Sequence, residues 1–156
     1  MFYTMNNNSK KYWGEPTWYL FHGIAAKIDA NYYKNNYKEC FSLIENICYD
    51  LPCPYCRDHA IKYLKNKNTK QINTKEKLIK FLFDFHNHAN KNSGKPLYDF
   101  EKMPIYDTIL LGKVFKLFLK RFYRTYYNFK VFNSFTNNKN KKFVINWWNK
   151  HRTHLN

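Results

Sequence analysis

The sequence predicts an all-α protein: a four-helix bundle followed by an additional helix on its C-terminal side. Apolar residues recur at helical spacing in successive segments, and Pro or Gly residues stand between several of these segments. Patterns typical of strands are sparse, and no internal repeat is present. The 156 residues fit one domain with a modest hydrophobic core.

The first two helices are predicted over roughly 15–30 and 33–50. Glu15 and Pro16 suit a first helical turn, because proline is tolerated there and an acid is favourable near the positive end of the helix dipole. The second segment places its apolar residues on one face, and Pro52 ends it.

Two further helices complete the predicted bundle. Pro54 opens a short helix that extends to about residue 65, and a polar loop follows it. Asn73 or Thr74 can cap the fourth helix. Gly94 provides a residue suited to its C-terminal end, with a proline shortly beyond.

The region after Pro104 differs in charge from the rest of the chain. Residues 1–104 carry 16 basic and 10 acidic side chains, a net +6, whereas residues 105–156 carry 11 and 1, a net +10. We therefore divide the chain into a core, 1–104, and a basic, aromatic extension, 105–156. The extension is predicted to contain a basic amphipathic helix over about 107–127, a polar linker over 136–142 and a short final element at its two tryptophans.

A C-x-x-C pair, Cys53 and Cys56, stands at the start of the third helix. The N–H groups and dipole of a helix N-terminus stabilise a thiolate, and this spacing lets two sulfurs form a short disulfide. The pattern predicts a redox-active pair. We expect Cys53 to meet the substrate, because the N-terminal sulfur of such a pair is the more exposed.

Three other interpretations of the pair are weaker. A zinc site could add His59, His86 or His88, but no second close cysteine pair exists. A glutaredoxin shares C-P-Y-C but requires strand–helix alternation, which is missing here. Burial of both thiols as structural residues conflicts with a turn that contains two prolines.

The remaining cysteines, Cys40 and Cys48, are eight residues apart on one predicted helix. Their Cα atoms would be about 12 Å apart, and a disulfide tolerates about 7 Å. They are expected to be buried thiols that pack as small apolar groups.

Two i,i+4 pairs of polar or aromatic residues suggest a ligand pocket. His86 and Asn90 lie one turn apart on the fourth helix, and Trp18 and His22 do so on the first. Buried polar groups need partners, and a tryptophan–histidine pair can flank a flat ligand.

Together these motifs resemble the Erv/ALR family of FAD-dependent sulfhydryl oxidases, and the run from Leu51 to Ala60 is especially similar to members from large cytoplasmic DNA viruses. The resemblance covers about residues 12–104. It implies an FAD-binding helical core and a homodimer. The cofactor-binding residues that it implies are Gly14, Trp18, His22, His86, Asn87, Asn90 and Lys95.

The same resemblance implies a mechanism and partners. A substrate thiolate attacks the disulfide at Cys53, and Cys56 passes electrons to FAD and then to O₂, which yields H₂O₂. Substrates would be protein thiols, such as virion proteins or a small thiol-relay protein, in the host cytoplasm or the virion. No signal peptide or apolar run long enough to span a bilayer is visible. No metal is expected.

The net charge of +16 favours one alternative, a basic non-enzymatic module that binds zinc or nucleic acid. Lys outnumbers Arg 23 to 4, and Arg is the residue suited to bidentate phosphate or base contacts. Membrane or nucleic-acid contact by the extension is therefore considered but not favoured, and packing of its helix on the bundle is preferred.

Overall fold

The protein is described by a computed structural model over residues 7–128 and 134–156. Within these residues the regular structure is helical apart from a single isolated bridge, which confirms the all-α prediction. The six α-helices are α1 (Asn7–Lys27), α2 (Ala30–Tyr49), α3 (Pro54–Lys65), α4 (Lys75–Asn92), α5 (Leu111–Asn128) and α6 (Ser134–His151). Short 3-10 helices occupy Thr69–Gln71, Phe100–Asp107 and Arg152–His154.

Helix α1 begins eight residues before the predicted start, at Asn7, so Pro16 lies inside it rather than in its first turn. A proline removes one main-chain hydrogen bond. The Thr17 hydroxyl donates to the carbonyl oxygen of Trp13 at 2.7 Å. Trp13 is buried edge-on against Phe122 of α5, and this packing stabilises the helix before the proline.

Local rules account well for the boundaries of α2, α3 and α4. The Asp29 side chain accepts the N–H of Tyr32 and caps α2, whose backbone is kinked at Asn36. Cys53 is the N-cap of α3, as predicted. Thr74 caps α4, and Gly94 just beyond it has a φ of 69°, which a glycine adopts without strain.

The extension is more helical than the sequence suggested. The predicted linker over 136–142 is wrong, because these residues lie within α6. Val144 and Trp147 of α6 are buried against the core, and the indole of Trp147 donates to the carbonyl oxygen of Glu39 on α2 at 3.0 Å. This packing outweighs the weak helix propensity of the preceding asparagines.

Helix α1 is central, with α4 and α5 packed against it, while α2 packs against α3 and α6. Helix α1 lies close to the start of α5 at Gly23. A Cβ at this position would lie 2.6 Å from the side chain of Ile109 and 2.7 Å from that of Leu111, so a larger residue would not fit without a shift. Side chains of the extension, including Phe118 and Phe122, belong to the same core as α1 to α4. The boundary at 104/105 stays a prediction based on charge.

Residues 154 and 155 pack against the turn between α1 and α2. Asp29 N–H donates to the carbonyl oxygen of His154 at 2.9 Å, and Ile28 forms a bridge with Leu155. The rings of Tyr32 and His154 stack 3.5 Å apart, and the Tyr32 hydroxyl lies 2.9 Å from Nδ1 of the fully buried His151.

Among the described residues, no helix combines the length and apolar character that a bilayer-spanning segment requires. Residues 1–6, part of the polar N-terminus considered above, lie outside the described residues.

Replacing Phe118 with alanine is expected to lower the free energy of unfolding by about 3–5 kcal/mol, because it leaves a cavity between α5 and α1. Phe118 is fully buried, whereas its neighbour Leu117 is 39% exposed. Leu117→Ala is therefore the matched control, with a change of about 1 kcal/mol or less. Urea unfolding measures both. Equal effects would mean that the extension is not part of the core.

Candidate active site

The two cysteines of the C-x-x-C motif form a disulfide at the start of α3. Their Cα atoms are 5.2 Å apart, which places this turn within the usual disulfide range. Cys53 Sγ also accepts the backbone N–H of Cys56 at 3.2 Å. A thiolate formed on Cys53 would thus lie against a free N–H of the helix N-terminus, which stabilises negative charge there.

The expectation that Cys53 is the more exposed sulfur is wrong. Cys53 is only 3% exposed, whereas Cys56 is half-buried. The expectation rested on the usual exposure of the N-terminal sulfur in such pairs, but here the residue before it, Pro52, is itself buried. The turn therefore packs against the core, and one of the two cysteines packs with it.

A cavity of about 520 Å³ opens beside the disulfide between α1, α3 and α4. Cys56 contributes to its wall, and Cys53 does not. Of the seven residues predicted to bind a cofactor, five line the cavity: Gly14, Trp18, His86, Asn90 and Lys95. The other two, His22 and Asn87, lie behind the wall. The cofactor-binding role of all seven stays a prediction.

Flat rings from α1 and α4 form one wall of the cavity. Trp18 and His86 stack with their ring centres 4.1 Å apart and their planes 6° apart. His22 lies behind this pair, with its Nε2 atom 3.0 Å from Nδ1 of His86. The ring of Tyr106 stacks on His22 from the other side, at 4.6 Å.

Both histidines are uncharged near neutral pH. Burial, and then the neighbouring His86, lowers the pKa of His22 to about 3. Burial, and then the positive charge of Lys95, lowers the pKa of His86 to about 4. Two neutral rings can share one N–H between them, whereas two cationic rings would repel each other. Nδ1 of His22 has no hydrogen-bond partner among the described residues.

Asn87 holds the chain that follows α4. Its Oδ1 accepts the N–H of Tyr98 at 2.7 Å, and its Nδ2 donates to the carbonyl oxygen of Tyr98 at 3.0 Å. The amide therefore fixes the segment that contains Lys95 against α4. Lys95 N–H in turn donates to the carbonyl oxygen of Asn90 at 2.9 Å. Asn87 thus positions the cavity rim rather than forming its wall.

The sequence reasoning missed several residues of the cavity. Lys10 and Lys11 line it because α1 begins earlier than predicted, and Tyr106 joins it from the 3-10 helix at 100–107. His59 and His88 also line it, and both rings lie within 3.2 Å of the Asn92 amide nitrogen. The sequence shows that Lys10 and Lys11 are charged, but it gives no signal that any of these residues lines a cavity, because that depends on tertiary packing.

The free cysteines are buried, as predicted. Burial, and then Glu39, raises the pKa of Cys40 to about 12, and burial also raises the pKa of Cys48. Both therefore remain protonated and unreactive near neutral pH. The described residues contain no group of three or more histidine, cysteine or acidic side chains placed to hold a metal ion.

A model of the Erv1/Alr family matches residues 15–108, more than half of the chain. The protein therefore belongs to the Erv1/Alr family, which confirms the resemblance drawn from its motifs.

Three relatives illustrate this similarity. A putative FAD-linked sulfhydryl oxidase of Invertebrate iridescent virus 3 is 31% identical over 55% of this chain and 59% of its own length. The FAD-linked sulfhydryl oxidase of African swine fever virus (isolate Pig/Kenya/KEN-50/1950) is 35% identical over 66% and 87%. The mitochondrial FAD-linked sulfhydryl oxidase of Saccharomyces cerevisiae is 29% identical over 55% and 45%. No solved structure matches the chain significantly.

Lowering the pH is expected to destabilise the FAD-free protein through His22 and His86. The unfolded chain takes up these protons near pH 6.5, whereas the folded protein does so only near pH 3 and 4. Their contribution to stability is complete above about pH 6.5 and is lost as the pH falls toward the folded pKa values. The expected loss by about pH 4.5 is a few kcal/mol.

Urea unfolding at about pH 7.5 and about pH 4.5 measures this loss in the wild type and in a His86→Gln variant. The variant lacks one of the two groups, so its stability should depend less steeply on pH. Carboxylates and the histidines other than His22 contribute equally to both proteins and cancel. Loss of His86 also relieves part of the shift of the His22 pKa, which makes the pH dependence shallower still. An identical pH dependence in the two proteins would contradict the assignment.

Proposed function

We propose that this protein is an FAD-linked sulfhydryl oxidase that forms disulfide bonds in protein substrates. The observation that carries the proposal is the Cys53–Cys56 disulfide, in which Cys56 contributes to the wall of a cavity beside stacked aromatic rings. Membership of the Erv1/Alr family and the names of its curated relatives support the same conclusion.

The cavity has the chemistry that FAD requires. Its volume of about 520 Å³ lies in the usual range for ligand sites. Its wall presents the flat rings of Trp18 and His86, and its rim carries the cationic side chains of Lys10, Lys11 and Lys95. Flat rings suit the ring systems of the cofactor, and lysines suit its diphosphate. Trp18 and His86 would hold the rings, with Gly14 and Asn90 beside them.

The other two residues predicted to bind the cofactor, His22 and Asn87, do not line the cavity and would support residues that do. His22 would fix the orientation of the His86 ring through the contact between Nε2 and Nδ1. Asn87 would hold Lys95 at the rim through its two hydrogen bonds to Tyr98. Both residues therefore contribute to cofactor binding indirectly, by positioning groups that line the cavity.

The disulfide performs the exchange with substrate. A substrate thiolate attacks Cys53 Sγ, a bond forms between these two sulfurs, and the Cys53–Cys56 bond breaks to release a thiolate on Cys56. A second substrate thiolate then attacks the substrate sulfur of the mixed disulfide. The substrate leaves oxidised, and Cys53 leaves as a thiolate. The N–H of Cys56 stabilises that thiolate, which makes Cys53 a good leaving group.

The position of Cys56 in the cavity wall suits the second half of the reaction. Bound FAD supplies a two-electron acceptor for the reduced cysteine pair and delivers the electrons to O₂, which leaves as H₂O₂. The burial of Cys53 means that a substrate must displace its covering before it can attack. This requirement protects the disulfide from indiscriminate exchange.

The substrates would be protein thiols, such as virion proteins or a small thiol-relay protein, with O₂ as the final acceptor. The viral relatives support this assignment and a location in the host cytoplasm or the virion. Without an additional cysteine pair in residues 57–156, the substrate would meet Cys53 directly. The preferred role of the extension is to pack on the bundle, and α5 does pack along α1.

Substitution of Cys53 or Cys56 with alanine is expected to reduce thiol oxidation by at least about 100-fold, because the two sulfurs act as one unit. Both variants should retain bound FAD. Under air-free conditions dithiothreitol should bleach the flavin absorbance of the wild type, and air should restore it, whereas neither variant should bleach quickly.

The matched control replaces Cys40, a buried free cysteine that does not line the cavity, with alanine. This variant should oxidise thiols at the wild-type rate, because the Cys40 thiol lies outside both the exchange pathway and the cavity wall. Oxidase activity that survives the loss of Cys53 and Cys56, or a wild type that does not take up FAD, would refute the proposal.

We also propose that the protein is a homodimer. Four large apolar side chains are exposed in one segment of the described chain, Leu97, Phe100, Ile105 and Leu110. Clustered exposed apolar residues commonly mark an interface. Light scattering after size exclusion should give twice the 19.2 kDa chain mass. Replacing Leu97 and Ile105 with lysine should yield monomers, and a monomeric wild type would exclude the proposal.

A further inference from the structure

Helix α5 presents a row of positive charges to solvent. Lys113, Lys116, Lys120 and Arg124 are all exposed, and we call these four residues the basic row. The steps between them are three, four and four residues, which place them on one face of the helix. The row is about 16 Å long, because each residue of an α-helix advances about 1.5 Å.

The opposite face of α5 holds the helix on the bundle. Phe115, Phe118 and Phe122 are buried in the shared core, and α5 packs along α1. The orientation of the basic row is therefore fixed by packing. None of its four residues lines the cavity beside the disulfide.

No acidic side chain within α5 or after it balances the row. Residues 108–156 contain no acidic side chain. Within the described residues, the lysines that form ion pairs are Lys80 and Lys150, and neither belongs to the row. Like charges four residues apart destabilise a helix, as at 116/120 and 120/124. The row therefore disfavours the folded helix.

Helix α6 continues the positive surface at its N-terminal half. Lys139 and Lys142 are exposed there, and the ammonium group of Lys141 lies 5.9 Å from the ring centre of Tyr123 on α5. This contact brings the middle of α6 beside Tyr123 of α5. Like the four residues of the basic row, Lys139 and Lys142 are not among the lysines that form ion pairs within the described residues.

We propose that the basic row, extended by Lys139 and Lys142, binds the phosphate backbone of nucleic acid. A straight line of cations on rigid helices suits a linear polyanion. Lysine acts on phosphate as a point charge, so this binding is independent of base sequence. A lipid surface fits less well, because the apolar face of α5 that carries Phe115, Phe118 and Phe122 is buried in the protein.

The binding surface is separate from the oxidase site, so an oxidase molecule can exchange disulfides while it is held on nucleic acid. The cavity lies on the α4 side of α1, whereas the basic row lies on α5. The interaction would concentrate the enzyme wherever nucleic acid accumulates. Its affinity would fall steeply with salt concentration, because each contact releases counterions.

Fluorescence anisotropy with the full-length, FAD-loaded protein and a labelled duplex of ~20 base pairs tests the proposal. Four to six phosphate contacts predict that the logarithm of the binding constant falls with the logarithm of salt concentration with a slope of about −4 to −5. A variant with glutamine at the four positions of the basic row should bind at least about tenfold more weakly, and its slope should be shallower by about 3 to 4. Glutamine preserves helix propensity.

The matched control removes four charges elsewhere, with glutamine at the exposed Lys34, Lys38, Lys62 and Lys65 of α2 and α3. It has the same net charge as the first variant and should retain wild-type DNA binding. Both variants should oxidise thiols at the wild-type rate, which separates this test from that of the oxidase function.

Three outcomes would overturn the proposal. Equal loss of DNA binding in both variants would mean that net charge alone attracts DNA. Tighter binding to vesicles that contain phosphatidylserine than to the duplex, at equal salt, would assign the surface to lipid. Binding of poly-glutamate as tight as that of the duplex would assign it to an acidic protein segment.

Discussion

The stacking of Trp18 on His86 is the contact on which the site depends. The two rings lie parallel at 4.1 Å and join α1 to α4, while Phe85 meets the edge of Trp18 at 5.3 Å. Aromatic rings in contact have preferred separations and angles, so this contact restrains how α1 packs on α4. The cavity lies beside these rings, and the start of α3 brings Cys56 to its wall. Cys56 and the stacked rings of Trp18 and His86 therefore line the same cavity.

Charge is distributed around the cavity in a way that suits a ligand with one flat part and one anionic part. The wall is neutral, because burial holds the pKa values of His22 and His86 far below neutrality. The rim is cationic, with Lys10 and Lys95. The disulfide lies beside the neutral wall. Burial thus keeps the ring wall uncharged beside a rim that carries lysines.

The parts of the structure that the sequence predicts correctly are those that depend on near neighbours. Cys53 as N-cap of α3, Thr74 as N-cap of α4 and Gly94 beyond its end each follow from local rules. The motifs resemble those of the family whose model matches the chain, and the expected cofactor is what that resemblance implies. The predictions that were wrong concern features that depend on contacts between residues far apart in sequence. The early start of α1 needs α5, and the helical state of 136–142 needs α2. The burial of Cys53 and the structural use of Asn87 likewise arise only in the packed chain.

The bridge between Ile28 and Leu155 joins the end of α1 to the next-to-last residue of the sequence. Forming a contact between residues so far apart in sequence has a high entropic cost until the intervening helices have folded. Folding should therefore begin with neighbouring helices, and the turn between α1 and α2 should be sealed last, when Asp29 meets His154. The helix that carries the disulfide can form before that seal. In this order of assembly, the turn that contains Cys53 and Cys56 forms early. The contacts of His154 and Leu155 with the turn between α1 and α2 form last.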